Sequence, residues 1–348
     1  MKYNKLGLSD LSVSSICLGT MNFGEQNTQE QGFEQLDYAV SQGVNFIDTA
    51  EMYSVPGRAE TSGATEKIIG NWLASRGNRD ELILATKVVG HSAGLSYIRN
   101  GPDFSRTQIN QAIEGSLKKL KTDFVDLYQL HWPKRDNNKF GVRIYPFDKN
   151  VGQQWEEDFL NQAESMNLLI KEGKIKHWGL SNETTWGVMK FLQLCKDNNL
   201  IPPVSIQNAY GLLNRQFEYG LSELCQFEGL GLLAYSPLAF GALTGKYLNN
   251  AQPEGARLTE YKIFNRFLNN RAMEATAAYQ ELAKENGMSV VTMALAFVCG
   301  QNFAHSTIIG ATNVNQLKEN ITAESVNLSP ELIKKINEIF NQFPDPAP

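Results

Sequence analysis

The chain has 348 residues, of which 42% are apolar and 20% charged, and its formal net charge is −5. These values are typical of a globular protein with one large domain or two medium ones. The charge is spread along the chain without a run of Lys or Arg, which argues against a nucleic-acid-binding surface. The longest strongly apolar stretch, VVTMALAFVC, is about half as long as a membrane-spanning helix needs to be.

Both termini and the scattered cysteines indicate the same cellular compartment. The start, MKYNKLGLSDLSVSS, lacks the apolar core of a signal peptide, and the final PDPAP is not a lipidation signal. The four cysteines form no C-x-x-C pair, which favours reduced thiols. The four histidines show no metal-ligand spacing. We therefore expect a cytoplasmic protein without a catalytic metal, a membrane segment or a nucleic-acid partner.

Eight short apolar runs alternate with helical patterns along nearly the whole chain. Each run is apolar enough to be covered on both faces, as parallel strands are. In chain order they are SSICLG, NFIDTA, LILATKV, FVDLYQLH, IKHWGLS, PVSIQNA, GLLAYS and STIIGA.

Helices are predicted between these runs. In SRTQINQAIEGSLKKLK the apolar positions keep to one face, and Ser105 with Gln108 predicts a capping box. The last helix has Ser329 as its N-cap and Pro330 at its first position. The other predicted helices cover residues 29–42, 65–76, 157–171, 184–197, 217–228, 273–286 and 314–322.

Eight strand–helix units predict an α/β fold, a (β/α)8 TIM barrel formed by a single domain over residues 1–348. A doubly wound sheet would show G-x-G-x-x-G at the first strand–helix junction, which here reads LGTMNFGEQN. Long connections at 89–104, 134–155 and 244–270 leave the carboxyl ends of strands, where the active sites of such barrels lie.

Four polar residues stand where apolar strands end. Asp48, Lys87 and His131 end the second, third and fourth strands, and Tyr53 closely follows Asp48. Neighbouring strands are about 4.8 Å apart, so these side chains can converge at one mouth of the barrel. A Tyr beside a Lys is expected to have a lowered pKa, and an Asp would keep that Lys charged. The set suits protonation of an oxygen on which negative charge develops.

Each of these residues also has a simpler interpretation. Asp48 alone is compatible with a helix cap or a turn, Tyr53 with a packed surface aromatic, and His131 with a core imidazole that is hydrogen-bonded internally. Lys87 is harder to explain in this way, because a charge at the end of an apolar strand needs a partner. The joint placement of the four favours a catalytic site.

The order DTAEMY, ATK and LHWP resembles the Asp, Lys, Tyr and His tetrad of the aldo-keto reductases. The likeness extends from LGTMNFG to GATNVNQLKEN, essentially the whole chain, and is closest to the bacterial Tas-type branch, related to the potassium-channel β-subunit branch. It implies NADPH-dependent (NADP+-dependent) reduction of carbonyl compounds. Tyr53 would be the general acid, Lys87 and Asp48 would tune it, and His131 would orient the carbonyl group.

The same resemblance implies a set of cofactor contacts. Ser181, Asn182 and Gln207 would hydrogen-bond the carboxamide of the nicotinamide. Tyr235 would stack on the nicotinamide ring or, alternatively, pack in the core. Thr20, Met21 and Asp48 would also contact the cofactor. Ser236, Pro237, Leu238, Ala239 and Gly241 would surround the pyrophosphate, with backbone N–H groups from the four that are not proline. The adenosine pocket would be lined by Gly310, Thr312, Gln316, Glu319 and Asn320.

Recognition of the 2′-phosphate departs from part of the family. Many members use a Lys and an Arg at the positions that Gly310 and Gln316 occupy here. In the β-subunit-like branch a Lys and an Arg from the loop after the seventh strand serve instead, and Lys246 and Arg257 match them. Since a phosphate is distinguished from a hydroxyl by cations, the preference for NADP depends on these two residues. Arg257 could instead be a solvated loop charge.

The substrate-binding residues implied are Met21, Tyr53, His131 and Trp132, which with the long loops suggest an apolar or aromatic aldehyde or ketone. Trp132 could equally be a core aromatic. Two other function classes stay open. One is an NADPH-binding redox-sensing or regulatory protein with slow turnover, and the other is a Schiff-base aldolase with Lys87 as nucleophile. Pairing with Asp48 disfavours the aldolase, because it would keep Lys87 charged.

Overall fold

The amino-terminal segment forms a hairpin of two short antiparallel strands, β1 (Tyr3–Lys5) and β2 (Ser12–Ser14). The computed structural model describes residues 1–144 and 155–348 of the chain. Gly7 lies in the turn with a φ of +53°, and a Cβ there would be 2.3 Å from the carbonyl oxygen of Val204. Only glycine fits this close approach without strain. This hairpin was not predicted from the sequence.

The eight predicted strands all form and close into a parallel barrel in the order β10-β3-β4-β5-β6-β7-β8-β9. The (β/α)8 prediction is therefore confirmed. The strands are β3 (Ile16–Gly19), β4 (Phe46–Asp48), β5 (Ile83–Val88), β6 (Val125–Leu130), β7 (Ile175–Ser181), β8 (Ser205–Ala209), β9 (Gly231–Tyr235) and β10 (Ala304–Ile309).

Helices follow the strands and form the outer layer. They are α1 (Gln29–Ser41), α2 (Ala64–Arg76), α3 (Arg106–Leu120), α4 (Trp155–Lys171), α5 (Thr185–Asp197), α6 (Leu221–Glu228), α7 (Arg257–Glu260), α8 (Asn270–Glu285), α9 (Val290–Cys299), α10 (Val314–Thr322) and α11 (Pro330–Gln342). Within the described ranges no single helix is long and apolar enough to cross a membrane, although α8 and α9, bent by 94°, satisfy length and composition as a pair.

Three helix predictions need correction. The Ser105 hydroxyl accepts from the Gln108 N–H, but the Gln108 side chain bonds Arg99 instead of completing the capping box. The predicted helix at 217–228 starts only at Leu221, because residues 216–219 form a separate 3-10 turn. The third correction is α9, which lies in the apolar stretch VVTMALAFVC and was not predicted as a helix.

The interior of the barrel is apolar at one end and polar at the other. Leu6, Leu11 and Val13 of the hairpin segment pack against inward-facing residues such as Cys17 and Phe46. The hairpin thereby closes the amino-terminal mouth. At the carboxyl ends of the strands the apolar side chains give way to buried polar ones, which positions a site at the opposite mouth.

Candidate active site

Asp48 and Lys87 form a buried ion pair at the carboxyl end of the barrel. The Lys87 ammonium donates to Asp48 Oδ2 at 2.6 Å and to the Thr49 carbonyl at 2.8 Å, and the Lys87 side chain is fully buried. Burial acts to lower the pKa of Lys87, but Asp48 and Tyr53 outweigh it and raise this pKa above its ordinary value. Lys87 is therefore a charged group near neutral pH.

Tyr53 lies directly against this ammonium. The Lys87 Nζ is 4.9 Å from the centre of the Tyr53 ring. The expectation of a lowered pKa for Tyr53 is wrong in its net direction. Burial raises the pKa of the phenol more than Lys87 lowers it, so that the net shift is upward from 10.0. Tyr53 is consequently a protonated phenol near neutral pH, the form that can supply a proton.

His131 follows β6 directly and completes the cluster. Its ring centre is 5.7 Å from that of Tyr53, in an edge-on arrangement. Burial lowers the pKa of His131 well below 6.5, and the Lys87 charge acts in the same direction. In the described part of the chain the imidazole has no hydrogen-bond partner, and its Nδ1 is buried. A neutral imidazole without an internal partner contradicts the alternative of a satisfied core histidine.

Two glutamines hold the second oxygen of Asp48. Gln207 Nε2 donates to Asp48 Oδ1 at 2.8 Å, and Gln129 Nε2 lies 3.3 Å from the same oxygen. Gln129 was not identified from the sequence. The available signal was its position two residues before His131, which places both side chains on the inner face of the barrel. The side-chain N–H groups of Gln207 are thus directed at Asp48 and Gln129. This leaves the side-chain carbonyl oxygen of Gln207 for a ligand.

Asn182 and Tyr235 stand together above the ends of β7 and β9. The Tyr235 hydroxyl donates to Asn182 Oδ1 at 2.6 Å, and Asn182 Nδ2 donates to the His131 carbonyl at 2.8 Å. Asn182 has a φ of +54°, a left-handed conformation that asparagine tolerates better than most residues. The Ser181 hydroxyl donates to the main-chain carbonyl of Gln207 at 2.8 Å. These contacts fix the wall of the mouth on which the resemblance places the nicotinamide.

Thr20 and Met21 complete this part of the mouth. Thr20 is buried, and its hydroxyl donates to the main-chain carbonyl of Asp48 at 2.8 Å. This bond holds the backbone at Asp48 in place. Met21 is half-buried, and its carbonyl accepts from the Val55 N–H at 2.9 Å. Met21 therefore links the first strand–helix loop to the segment that carries Tyr53.

The loop after β9 has an unusual backbone. Ser236, Ala239, Phe240 and Gly241 have φ values of +55°, +48°, +55° and +90°. Left-handed residues within a turn direct successive N–H groups to one side and form an anion-binding concavity. Pro237 and Ala239 are buried, and Leu238 is half-buried between them. The Ala239 and Gly241 N–H groups donate within the turn, to the Ser236 and Leu238 carbonyls at 2.9 and 2.8 Å. The arrangement therefore fits only part of the pyrophosphate contacts that the resemblance implies for this loop.

Lys246 and Arg257 lie close together beyond this loop. A Cβ on Gly241 would be 3.2 Å from Lys246 Nζ, and the Arg257 guanidinium stacks 5.1 Å from the centre of the Phe240 ring. Burial lowers the pKa of both groups, with Arg257 at about 10, and Arg257 further lowers that of Lys246. Neither has a carboxylate within 4.0 Å among residues 1–144 and 155–348. Two cations held together without an anion fit a phosphate group.

Arg257 is also connected to the start of α10. Its Nε donates to Gln26 Oε1 at 3.1 Å, and the neighbouring Asn27 donates to the Thr312 carbonyl at 2.8 Å. Neither Gln26 nor Asn27 was identified from the sequence. Gln316 Oε1 accepts from both the N–H and the hydroxyl of Thr312. The loop after β3 thus connects Arg257 with the start of α10, the two regions that are predicted to bind the adenosine half of the cofactor.

The remaining adenosine-pocket residues differ in their surroundings. Asn320 is buried and donates to the Gly310 carbonyl at 3.2 Å, which shapes the turn before α10. Glu319 is exposed and accepts from the Ser289 hydroxyl at 2.7 Å, on the side of α9. Asn320 therefore supports the pocket, while Glu319 is engaged with a neighbouring helix.

Trp132 is half-buried at the edge of the mouth. Its ring centre is 4.8 Å from that of His131 and 6.5 Å from that of Phe140. Trp132 also packs against a small cluster that contains Val89 and Leu95 of the long loop after β5. It lies outside the barrel core, so the alternative of a core aromatic is wrong.

Comparison with known proteins agrees with this geometry. The model of the aldo/keto reductase family matches residues 15–341. The chain therefore belongs to the aldo-keto reductase family, a family of oxidoreductases.

Similar proteins come from several organisms. Protein Tas of Escherichia coli strain K12 is 46% identical over the full length of both chains. The uncharacterized oxidoreductase YrpG of Bacillus subtilis strain 168 is 33% identical and covers 98% of this chain and 96% of its own. A probable voltage-gated potassium channel subunit beta of Oryza sativa subsp. japonica is 30% identical and covers 99% and 98%. The resemblance to the Tas-type and β-subunit branches is confirmed.

Proposed function

We propose that this protein is an NADPH-dependent oxidoreductase that reduces aldehydes or ketones to alcohols, with Tyr53 as general acid. The observation that carries the proposal is the contact of the Tyr53 phenol with the buried Lys87–Asp48 pair beside a neutral His131. Family membership supports the reaction class. We further propose that residues 1–348 act as one catalytic domain and that the protein is cytoplasmic.

Each residue of the tetrad has a distinct task. When bound, NADPH supplies a hydride to the carbonyl carbon. Tyr53 gives its proton to the carbonyl oxygen, and Lys87 stabilises the phenolate that this leaves. Asp48 keeps Lys87 charged and in place. His131, being neutral, donates a hydrogen bond that orients the oxygen without competing as a proton source.

The cofactor is proposed to be held at three places. Asn182, Ser181 and the Gln207 carbonyl oxygen would face the carboxamide of the nicotinamide, with Tyr235 beside its ring. The loop of residues 236–241 would surround the pyrophosphate, with the N–H groups that the turn does not itself use directed at it. Lys246 and Arg257 would bind the 2′-phosphate, and their mutual repulsion explains why a phosphate would be preferred to a hydroxyl there. Met21 and Trp132 would border the substrate.

The test is a panel of aldehydes and ketones followed by NADPH absorbance, with Tyr53→Phe as the central variant. We expect Tyr53→Phe to lower turnover by about 10²-fold or more, the usual scale for a general acid, and to leave NADPH binding nearly intact. The matched control is Tyr279→Phe, which removes a buried hydroxyl on α8 that has no partner in the described residues. Unchanged turnover in Tyr53→Phe with a good substrate would exclude Tyr53 as the acid.

A second candidate is a regulatory protein that binds NADPH and turns over slowly, which the similarity to a potassium channel subunit beta favours. Single-turnover oxidation of bound NADPH separates the two: an enzyme consumes the cofactor rapidly on mixing with an aldehyde, whereas a sensor does so over many minutes. The Schiff-base alternative is less compatible with the site, because the ion pair with Asp48 and the raised pKa of Lys87 disfavour the neutral amine that would attack. Borohydride trapping of an adduct on Lys87 would support it.

A further inference from the structure

The space above Tyr53 is bordered on one side by a continuous row of rings. Tyr53 contacts His131 with ring centres 5.7 Å apart, and His131 contacts Trp132 at 4.8 Å. Trp132 in turn meets Phe140 edge-on at 6.5 Å. This side of the mouth is therefore lined with aromatic rings, which suits an aromatic or apolar substrate.

Arg266, in the loop after β9, closes the other side. Its guanidinium carbon is 5.8 Å from the centre of the Phe140 ring and 4.6 Å from that of Phe267. It also lies beside Tyr235: burial raises the pKa of Tyr235 to about 12, and Arg266 acts on that phenol in the opposite direction. Because Tyr235 bonds Asn182, which bonds the His131 carbonyl, the contacts form a ring around the mouth.

The guanidinium of Arg266 has no carboxylate partner among the residues that the structure describes. Over residues 1–144 and 155–348 no carboxylate lies within 4.0 Å of it, and its hydrogen-bonding neighbour is the Tyr235 phenol, a neutral group. The side chain is only partly exposed, and burial lowers its pKa. A half-buried guanidinium whose protein partner is a single neutral phenol keeps most of its five N–H donors for a ligand that supplies acceptors.

We propose that Arg266 recognises a carboxylate on the substrate, so that the preferred substrates are aromatic or apolar carbonyl compounds that carry this group. This inference rests on the proposed function. The planar fork of an arginine binds a carboxylate through two parallel hydrogen bonds, and its stacking on Phe140 and Phe267 holds the fork in one orientation. The aldehyde or ketone would then point toward Tyr53 and His131, across the mouth from Arg266.

The same cation could instead serve a phosphate of the cofactor, since Tyr235 is shared between the two sites. The two roles predict different outcomes. A substrate role changes the Michaelis constant for acidic substrates alone. A cofactor role weakens NADPH binding and affects every substrate equally.

The experiment compares 4-carboxybenzaldehyde with its methyl ester, which has the same ring and aldehyde but no charge. For Arg266→Met we expect the Michaelis constant of the acid to rise by about ten- to a hundredfold, the range for a lost charged hydrogen-bond pair, and that of the ester to change less than threefold. The dissociation constant of NADPH should stay unchanged. Arg266→Lys should recover part of the discrimination, and Arg106→Met, at an exposed arginine paired with Glu164, should change nothing.

A binding measurement separates this inference from the proposed function. Benzoate and benzamide are titrated against the NADP+-loaded protein, followed by tryptophan fluorescence, which needs no turnover. Benzoate should bind more tightly than benzamide in the wild type, and Arg266→Met should abolish the difference. Equal losses for the acid and the ester, a weakened NADPH affinity, or no preference for benzoate would overturn the role of Arg266. Absence of any Tyr53-dependent turnover would instead contradict the proposed function.

Discussion

Lys87 and Lys246 lie in the same half of the molecule, yet their charges have different surroundings. Lys87 is fully buried, bonds Asp48 and Thr49, and has a raised pKa. Lys246 has no carboxylate partner in the described residues, and burial together with Arg257 lowers its pKa. A cation with an internal partner can tune another group of the protein. A cation that lacks one is available to an anionic ligand.

The largest expected effect comes from removing the paired cation. Lys87→Met leaves the Asp48 carboxylate buried without its counter-charge, which typically costs about 3–5 kcal/mol of unfolding free energy. It also leaves the Tyr53 phenolate unstabilised, so turnover should fall by about 10²-fold or more. Urea denaturation and NADPH absorbance measure the two effects.

A double variant shows which part of that effect comes from the pair. Lys87→Met with Asp48→Asn removes both charges, so most of the lost stability should return while turnover stays low. If Lys87→Met alone proved as stable as the wild type, the ion pair would not have the structural role assigned to it here.

A smaller effect is expected at the unpaired cations. Lys246→Ala with Arg257→Ala should weaken NADPH binding by about 10²-fold or more, since each charged hydrogen bond contributes about 1.5–3 kcal/mol, while NADH binding changes little. Fluorescence titration with both cofactors gives the ratio. Lys262→Ala, on the same loop but bonded to Gln252, is the matched control. Equal losses for NADPH and NADH would contradict the 2′-phosphate role.

The smallest expected effect is a rate that does not change with pH. The pKa of His131 lies well below 6.5 and that of Tyr53 above 10.0, so the neutral imidazole and the protonated phenol both persist between these values. The rate of carbonyl reduction should be level from about pH 6.5 to 9.5 and fall as Tyr53 loses its proton at higher pH. A steep limb near pH 6.5 in the dependence of kcat/KM would show that His131 acts as a cation.

The sequence predicted best those features that depend on the residue types within one short segment. Apolar runs of strand length predicted all eight barrel strands, and the polar residues at their ends identified Asp48, Lys87 and His131 as neighbours. The helix α9 was missed because its stretch is apolar all round and carries no helical periodicity. Its one signal was Ser289, whose hydroxyl caps the Thr292 N–H.

Other features depend on contacts between distant segments. Gln129 supports Asp48 only because two strands bring them together, and Arg266 reaches the mouth through an irregular loop. The sign of the pKa shift of Tyr53 also follows from burial, which residue order does not reveal. Sequence spacing identified the neighbours of the phenol but not the desolvation that outweighs them.

The proposed division of roles, catalysis around Lys87 and Tyr53 and cofactor binding at Lys246 and Arg257, has one most direct test. This test is the single-turnover rate of aldehyde reduction as a function of NADPH concentration. Its plateau reports the chemical step, and its midpoint reports cofactor affinity. For Tyr53→Phe we predict a plateau lowered by about 10²-fold or more at an unchanged midpoint. For Lys246→Ala with Arg257→Ala we predict the wild-type plateau at a raised midpoint. A lowered plateau in the second variant, or a full plateau in the first, would contradict the division of roles between the two regions.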